Sequence, residues 1–366
     1  MDDKSDPWPS SRLFHLTGGV RAYNLEGPEI DFEPLVVGGK KCIIKVPHYA
    51  AAFRHIERLG LQIVGVDFYT HSGELKGEAP PDWRYFNRGW PMWELSQKWA
   101  QISHAGFNRK NGRLWDLASR LSQQVRTCDW QLRQISQSYE AQLIGRTKQG
   151  EVEHGHRFAD GFTGLAYMAI QSYLADACTL RDYLAEFLAR VTWEQFPKSA
   201  EVDSMRDLRQ RLLSKVPRPD PLADYLAASL EDGGWLRKLS DYRNLVVHTA
   251  PLAMAGGRWF AVIEHRKLAE GGLMPILRLP LPLNPDVVKK ERSSGSLFAD
   301  FNTQFEAFTR AVKGQLPWTD GLDYLWEVHG RLAELTAKVA DSSPVKGEMM
   351  HFGDTDLRGE IGIIKK

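Results

Sequence analysis

Between Phe158 and Thr192 the residues Phe162, Ala166, Ala169, Tyr173, Ala177, Leu180, Leu184 and Phe187 advance in steps of three and four. A half-buried strand would alternate with a period of two, so this run predicts a long helix carrying one apolar stripe. Such a stripe is stable only when neighbouring elements cover it, which makes a helical bundle the expected setting.

The flanking sequence supplies those neighbours. Helices are expected over about Met92–Ile102, over Arg113–Gly145 with a break near Thr127, and over Val202–Lys215, ahead of a turn rich in proline. Further helices are expected at Pro221–Leu230, Trp235–Thr249, Leu297–Lys313 and Trp318–Ala340. Alternating segments at Arg258–Lys267 and Met274–Leu281, around Gly271-Gly272, read as a β-hairpin over about residues 257–283 appended to the bundle. Residues 1–92 differ in texture. Short β-prone runs at Leu35–Val37, Cys42–Val46 and Gln62–Tyr69, with a helix at Tyr49–Leu59, describe a small α/β module that ends where Pro80, Pro81 and Pro91 punctuate the chain. The expected architecture is mainly α: this module at 1–92, a helical domain at 93–345, and a polar, mobile tail at 346–366.

Composition narrows the function classes. The 366 residues are 43% apolar and 25% charged, enough to bury a core, and the net charge of +1 gives no global field toward nucleic acid. An RNA-binding surface would have to be a local patch. Cys42, Cys128 and Cys178 are odd in number and lack metal-ligand spacing, which suits a reducing cytoplasm. MDDKSDPWPSS has no apolar core of the signal-peptide kind, and no run of 18 apolar residues exists, so no membrane partner is expected. His154-Gly155-His156 reads as a loop, Val37–Lys41 as a β-turn without P-loop spacing, and the twelve tryptophans as core.

One stretch carries chemistry: Asp241-Tyr242-Arg243-Asn244-Leu245-Val246-Val247-His248. Trp235, Leu239, Tyr242 and Val246 define the core stripe of its helix, and steps of about 100° put Asn244 and His248 opposite that stripe with Arg243 at its flank. Arg243 followed by a polar residue and, four residues on, His248 resembles the Arg-x4–6-His signature of HEPN domains, helical bundles that include ribonucleases of toxin–antitoxin and antiviral systems. The resemblance covers about residues 113–249. It implies a homodimer whose two helices form a composite cleft, RNA as substrate, no metal or other cofactor, and products with a 2′,3′-cyclic phosphate and a 5′-hydroxyl. It also implies an acidic or hydroxyl residue from a neighbouring helix; Asp176, Thr179 and Asp182 are the candidates.

The residue types suit that chemistry. Attack by a ribose 2′-hydroxyl needs a proton acceptor and a donor, which histidine provides near neutral pH. A guanidinium fork stabilises the charge that gathers on the phosphate, and Asn244 can orient either partner. The same residues also fit a plainer description, with His248 facing the helix dipole and Arg243 a surface cation. Basic clusters at Arg109, Lys110 and Arg113, and at Lys289, Lys290 and Arg292, are candidates for the RNA backbone. The leading expectation is a metal-independent endoribonuclease of phage defence or a toxin, with an antitoxin or second defence subunit as a further partner. The alternatives are a non-catalytic dimerisation or RNA-binding module, and an enzyme of other chemistry in the N-terminal module.

Overall fold

The computed structural model describes residues 11–24, 27–69, 74, 77–86, 92–248, 259–269, 271–286, 289 and 318–349. Helices dominate, as the periodicity predicts. The spine is α3, Gly112–Lys148, which follows α2, Met92–Asn108, and precedes α4, Gly161–Phe187. (The first helix, α1 at Tyr49–Arg58, lies in the N-terminal sheet region.) At 37 residues and about 1.5 Å per residue, α3 is about 55 Å long. It runs unbroken through Thr127, whose hydroxyl is absorbed by a hydrogen bond to Gln123 O (3.1 Å) within the helix. The expected break is therefore absent: leucine, valine and isoleucine at Leu117, Leu121, Val125, Leu132 and Ile135 continue the buried stripe across it.

α4 begins at a capping box. The Asp160 carboxylate accepts from Thr163 N (2.9 Å), and the Thr163 hydroxyl accepts from Asp160 N (3.1 Å). Its core stripe is Ala166, Ile170, Tyr173, Ala177, Leu180, Leu184 and Phe187, all fully buried. Phe162, expected inside, is 48% exposed, on an outward strip of α4 shared with Leu165 and Met168, while Thr163, Ala166 and Tyr167 beside it are buried; Ala169, also expected inside, is half-buried. Phe158 lies not in the helix but in a two-residue strand, β7, Arg157–Phe158. Beyond Phe187 the helix widens into a π turn to Thr192. The helix expected at Val202–Lys215 forms over 205–215 as a contiguous helical segment of mixed pitch, one α turn followed by a π turn and a 3-10 turn. Then come α5, Pro221–Leu230, capped by Asp220; α6, Trp235–His248; and α7, Gly321–Asp341, capped by Asp320. The helix expected at Leu297–Lys313 lies outside the described residues.

The N-terminal region is a six-stranded, wholly antiparallel sheet in the order β4-β3-β2-β1-β5-β6. Its strands are β1 Ser11–Leu16, β2 Arg21–Asn24, β3 Glu29–Val36, β4 Lys40–Lys45, β5 Ile63–Tyr69 and β6 Asp82–Tyr85. The sheet packs on α3, and one continuous apolar core runs through sheet and bundle together. Buried polar groups pin the join. Arg133 of α3 grips Asp67 of β5 with two hydrogen bonds of 2.7 Å, His15 of β1 meets the same carboxylate at 3.1 Å, and Trp83 donates to Asp129 O at 3.1 Å.

The hairpin is not an appendage. β8, Ala261–Lys267, and β9, Leu273–Arg278, pair antiparallel, and β7 joins β8. The hairpin then ties into the N-terminal region: Val37 N donates to Leu273 O (2.8 Å) and Arg266 to Gly60 O (3.3 Å). The polar tail is likewise seated where it is described, since Glu348 N donates to Gln101 O of α2 (3.1 Å).

The turn between β1 and β2 sets how closely the sheet approaches the bundle. Gly18 and Gly19 both have φ of +76°, and a Cβ on Gly19 would lie 2.7 Å from the backbone carbonyl of Tyr139. Neither strain can relax, because one is a left-handed backbone and the other a collision with helix main chain. Gly19→Ala is expected to cost about 3 kcal/mol or more. Urea denaturation measures it, and a loss under about 1 kcal/mol would mean that this turn lifts off α3 without penalty.

Candidate functional site

The site is built on α6. Gly233 takes φ of +86° in the turn out of α5, and Trp235 begins the helix with its indole N–H donating to Ser229 Oγ (3.0 Å). The buried face is Leu236, Leu239, Tyr242 and Leu245, whereas Trp235 and Val246 are only half-buried. The stripe is thus rotated slightly from the expected one. Leu236 and Leu245 replace Trp235 and Val246 because α6 lies in the angle between α4 and α5 and not flat on one helix. Tyr242 locks the helix down. Its hydroxyl donates to Pro282 O (2.6 Å), and its ring lies 4.8 Å from that of Tyr324 on α7.

Arg243 and Asn244 are half-buried, and His248 is exposed at the end of the helix. Arg243 Nη1 lies 3.3 Å from His248 Nε2 and 3.4 Å from Asn244 Oδ1. The two residues are about 140° apart round the helix, yet the long arginine side chain closes the gap. A guanidinium only donates, so Nε2 must accept and the ring proton of a neutral His248 sits on Nδ1. Arg243 lies near Cys178 of α4, whose thiol is pushed up by burial, with Arg181 and Arg243 opposing and Asp182 adding to the rise. An anion entering beside His248 would meet a guanidinium already turned toward it.

The candidate acids are not brought to this pair. Asp176 turns toward α3, where Gln124 donates to one oxygen (2.9 Å) and Gln131 to the other. Asp182 pairs with Arg181 (2.9 Å) and accepts from Met205 N (3.0 Å), capping the turns over 205–215. Thr179 spends its hydroxyl on Ala175 O (3.2 Å). Sequence reasoning missed Arg181, which donates to Ser240 Oγ and so fixes α6 on α4. Nothing in the spacing of Arg181 could have shown this, since its partner lies 59 residues away.

The first basic cluster sits at the opposite end of α7. Tyr324 touches α6, while Asp341 pairs with Lys98 of α2 (2.5 Å) and Glu348 with Arg109 (3.2 Å). From Tyr324 to Asp341 is about 25 Å of helix. Lys110, with φ of +55°, and Arg113 are exposed in the same turn. Of the second cluster, Lys289 is half-buried, and Lys290 and Arg292 lie outside the described residues. His154, in its loop, accepts from His265 N (3.0 Å). Among the described residues no group of three or more His, Cys, Asp or Glu side chains is placed to hold a metal ion, and no helix is long and apolar enough to cross a membrane. Comparisons with protein-family models, curated proteins and solved structures find no match to this chain.

Proposed function

We propose that the protein is a metal-independent endoribonuclease of the HEPN type, working on RNA as a homodimer in phage defence or as a toxin. The observation that supports this is the meeting of Arg243 and His248 at 3.3 Å on the solvent side of α6, with Asn244 beside them. His248 Nε2, held as an acceptor, takes the proton of the attacking 2′-hydroxyl, and a histidine of the same kind returns a proton to the leaving 5′-oxygen. Arg243 leaves His248 for the phosphate and gathers its charge, while Asn244 holds the guanidinium in plane. A second copy of α6 would supply the second histidine, since one exposed imidazole cannot stand on both sides of the scissile bond. An antitoxin or second defence subunit would act by covering this face.

One observation favours the alternative, a non-catalytic dimerisation or RNA-binding module: the carboxylates of Asp176 and Asp182 are committed elsewhere. Expression in cells separates the two readings. Wild type is expected to arrest growth and leave RNA ends bearing 2′,3′-cyclic phosphate, also in EDTA-treated lysate, whereas the R243A/H248A double variant is expected to do neither. Arrest by a folded double variant with the same RNA fragments would remove these residues from the chemistry.

A further inference from the structure

The outer face between α2 and α3 carries a groove of about 440 Å³ that the α6 chemistry does not use. Phe107 and Trp115 flank its mouth, 65% and 49% exposed, with ring centroids 6.5 Å apart and planes inclined by 59°. Large rings so exposed are out of place on a surface that buries most of its other aromatics. His104, Ser119, Gln123 and Arg126 line it as well, with Gln123 and Arg126 exposed and His104 and Ser119 half-buried.

The wedge between the rings is built into rigid elements. Gly106 allows α2 to approach α3 so closely that a Cβ there would lie 2.8 Å from Trp115 N. Ser103 Oγ donates to Trp115 O (3.1 Å), and Trp115 N donates to Asn111 O (3.0 Å) in the first turn of α3. The surrounding charge is mixed but leans positive. Arg109 is taken by Glu348 (3.2 Å) and Asp116 by Arg120 (2.9 Å), while Lys110, Arg113 and Arg126 stay exposed without an ion pair among the described residues.

Two exposed rings, hydroxyl and amide side chains in the lining, and unpaired cations in and beside the groove match one ligand chemistry. Bases stack on aromatic faces, hydrogen-bond to polar side chains, and arrive on a phosphate backbone that cations hold. An apolar peptide helix would leave Lys110, Arg113 and Arg126 without a counter-charge. We propose that the α2–α3 groove binds unpaired bases of single-stranded RNA stacked on the exposed faces of Phe107 and Trp115, with the backbone on Lys110, Arg113 and Arg126. The choice of RNA rests on the ribonuclease reading. The groove is a second contact, on the side of the bundle away from α6, that holds substrate without cutting it.

The test uses the full chain carrying R243A/H248A, so that nothing is cut, and a fluorescein-labelled 12-nucleotide oligouridine read by anisotropy. Phe107→Ala and Trp115→Ala are each expected to weaken binding about tenfold, and Trp115→Phe to restore most of it. Arg126→Ala is expected to flatten the salt dependence. Both rings are exposed, so the variants should melt with the parent protein. Unchanged binding in the F107A/W115A variant, equal affinity for duplex RNA, or no binding at all would overturn the proposal, the last leaving the groove to a peptide. Cleavage by the wild-type chain is scored separately. Groove-dependent binding without cleavage upholds this inference and sinks the nuclease.

Discussion

Arg243→Ala and His248→Ala are each expected to slow cleavage of single-stranded RNA by about 100-fold or more, under single-turnover conditions with folded protein. The magnitude follows from what each group supplies. A positioned acid or base contributes about 10²–10⁴-fold, and a donor aimed at developing charge contributes about 10²–10³-fold. The two lie 3.3 Å apart and, on the proposed mechanism, act on one phosphate, so the double variant should be little worse than either single one. Arg243→Lys should not rescue, because an ammonium lacks the planar fork. Asp176→Asn and Asp182→Asn should leave the rate within about threefold, because neither carboxylate faces the pair; Asp182→Asn should lower stability, through its bonds to Arg181 and Met205. If cleavage survives in His248→Ala at more than a tenth of the parent rate, histidine is not the acid or base.

The largest effect on stability is expected at Asp67. Its carboxylate is fully buried between the sheet and α3, with Arg133 on both oxygens and His15 on one. Arg21 and Glu140 stand behind His15, with Glu140 at 3.8 Å from its Nδ1 and Arg21 at 2.6 Å from Glu140. Removing one member leaves the others charged or polar in the interior. Asp67→Ala is therefore expected to cost about 3–5 kcal/mol, a fall in melting temperature of roughly 5–10 °C for a chain this size. The cost measures a broken network and not the worth of an intact one, since an all-apolar replacement of the group could be neutral.

That network also sets a pH dependence. Burial alone would raise the Asp67 carboxyl, but hydrogen bonds from His15 and Arg133 and their charges outweigh it and hold it below the usual aspartate value. A depressed native pKa means that the unfolded chain takes up the proton first. The stabilisation is present above about pH 4 and lost as pH falls through the native value. The gap between the melting temperatures of wild type and Asp67→Asn should stay constant above about pH 4 and close as pH falls below it. A gap that stays constant down to pH 2 would show that Asp67 is held by shape and not by charge.

How much was legible depended on whether a signal was local. The steps of three and four in α4, the Pro221 and Gly233-Gly234 punctuation around α5, and the alternation around Gly271-Gly272 each report on contiguous residues, and each element formed where expected within a few positions. β1, β2 and β6 were missed because their runs are short and rich in arginine, histidine and tyrosine. Those polar side chains find partners on α3, on α7 and within the sheet. Phe162 was misplaced because an apolar residue need not lie on the buried face: it sits at the edge of the stripe, on an exposed strip with Leu165 and Met168.

The candidate site divides the same way. That Arg243, Asn244 and His248 share one helix and lie off its apolar face follows from sequence alone, because 3.6 residues per turn fixes their angles. The sequence likewise determines a mainly helical chain with a β-rich start, because hydrophobic periodicity is a property of neighbours along the backbone. Only the tertiary structure decided that Arg243 bends to His248, that Asp176 belongs to Gln124 and Gln131, that Asp182 belongs to Arg181, and that the sheet, hairpin and bundle share one core. Several of those outcomes rest on pairs far apart along the chain, such as Arg266 with Gly60, 206 residues away. Which of several equally polar partners a side chain finds is settled by packing, after the backbone has been placed.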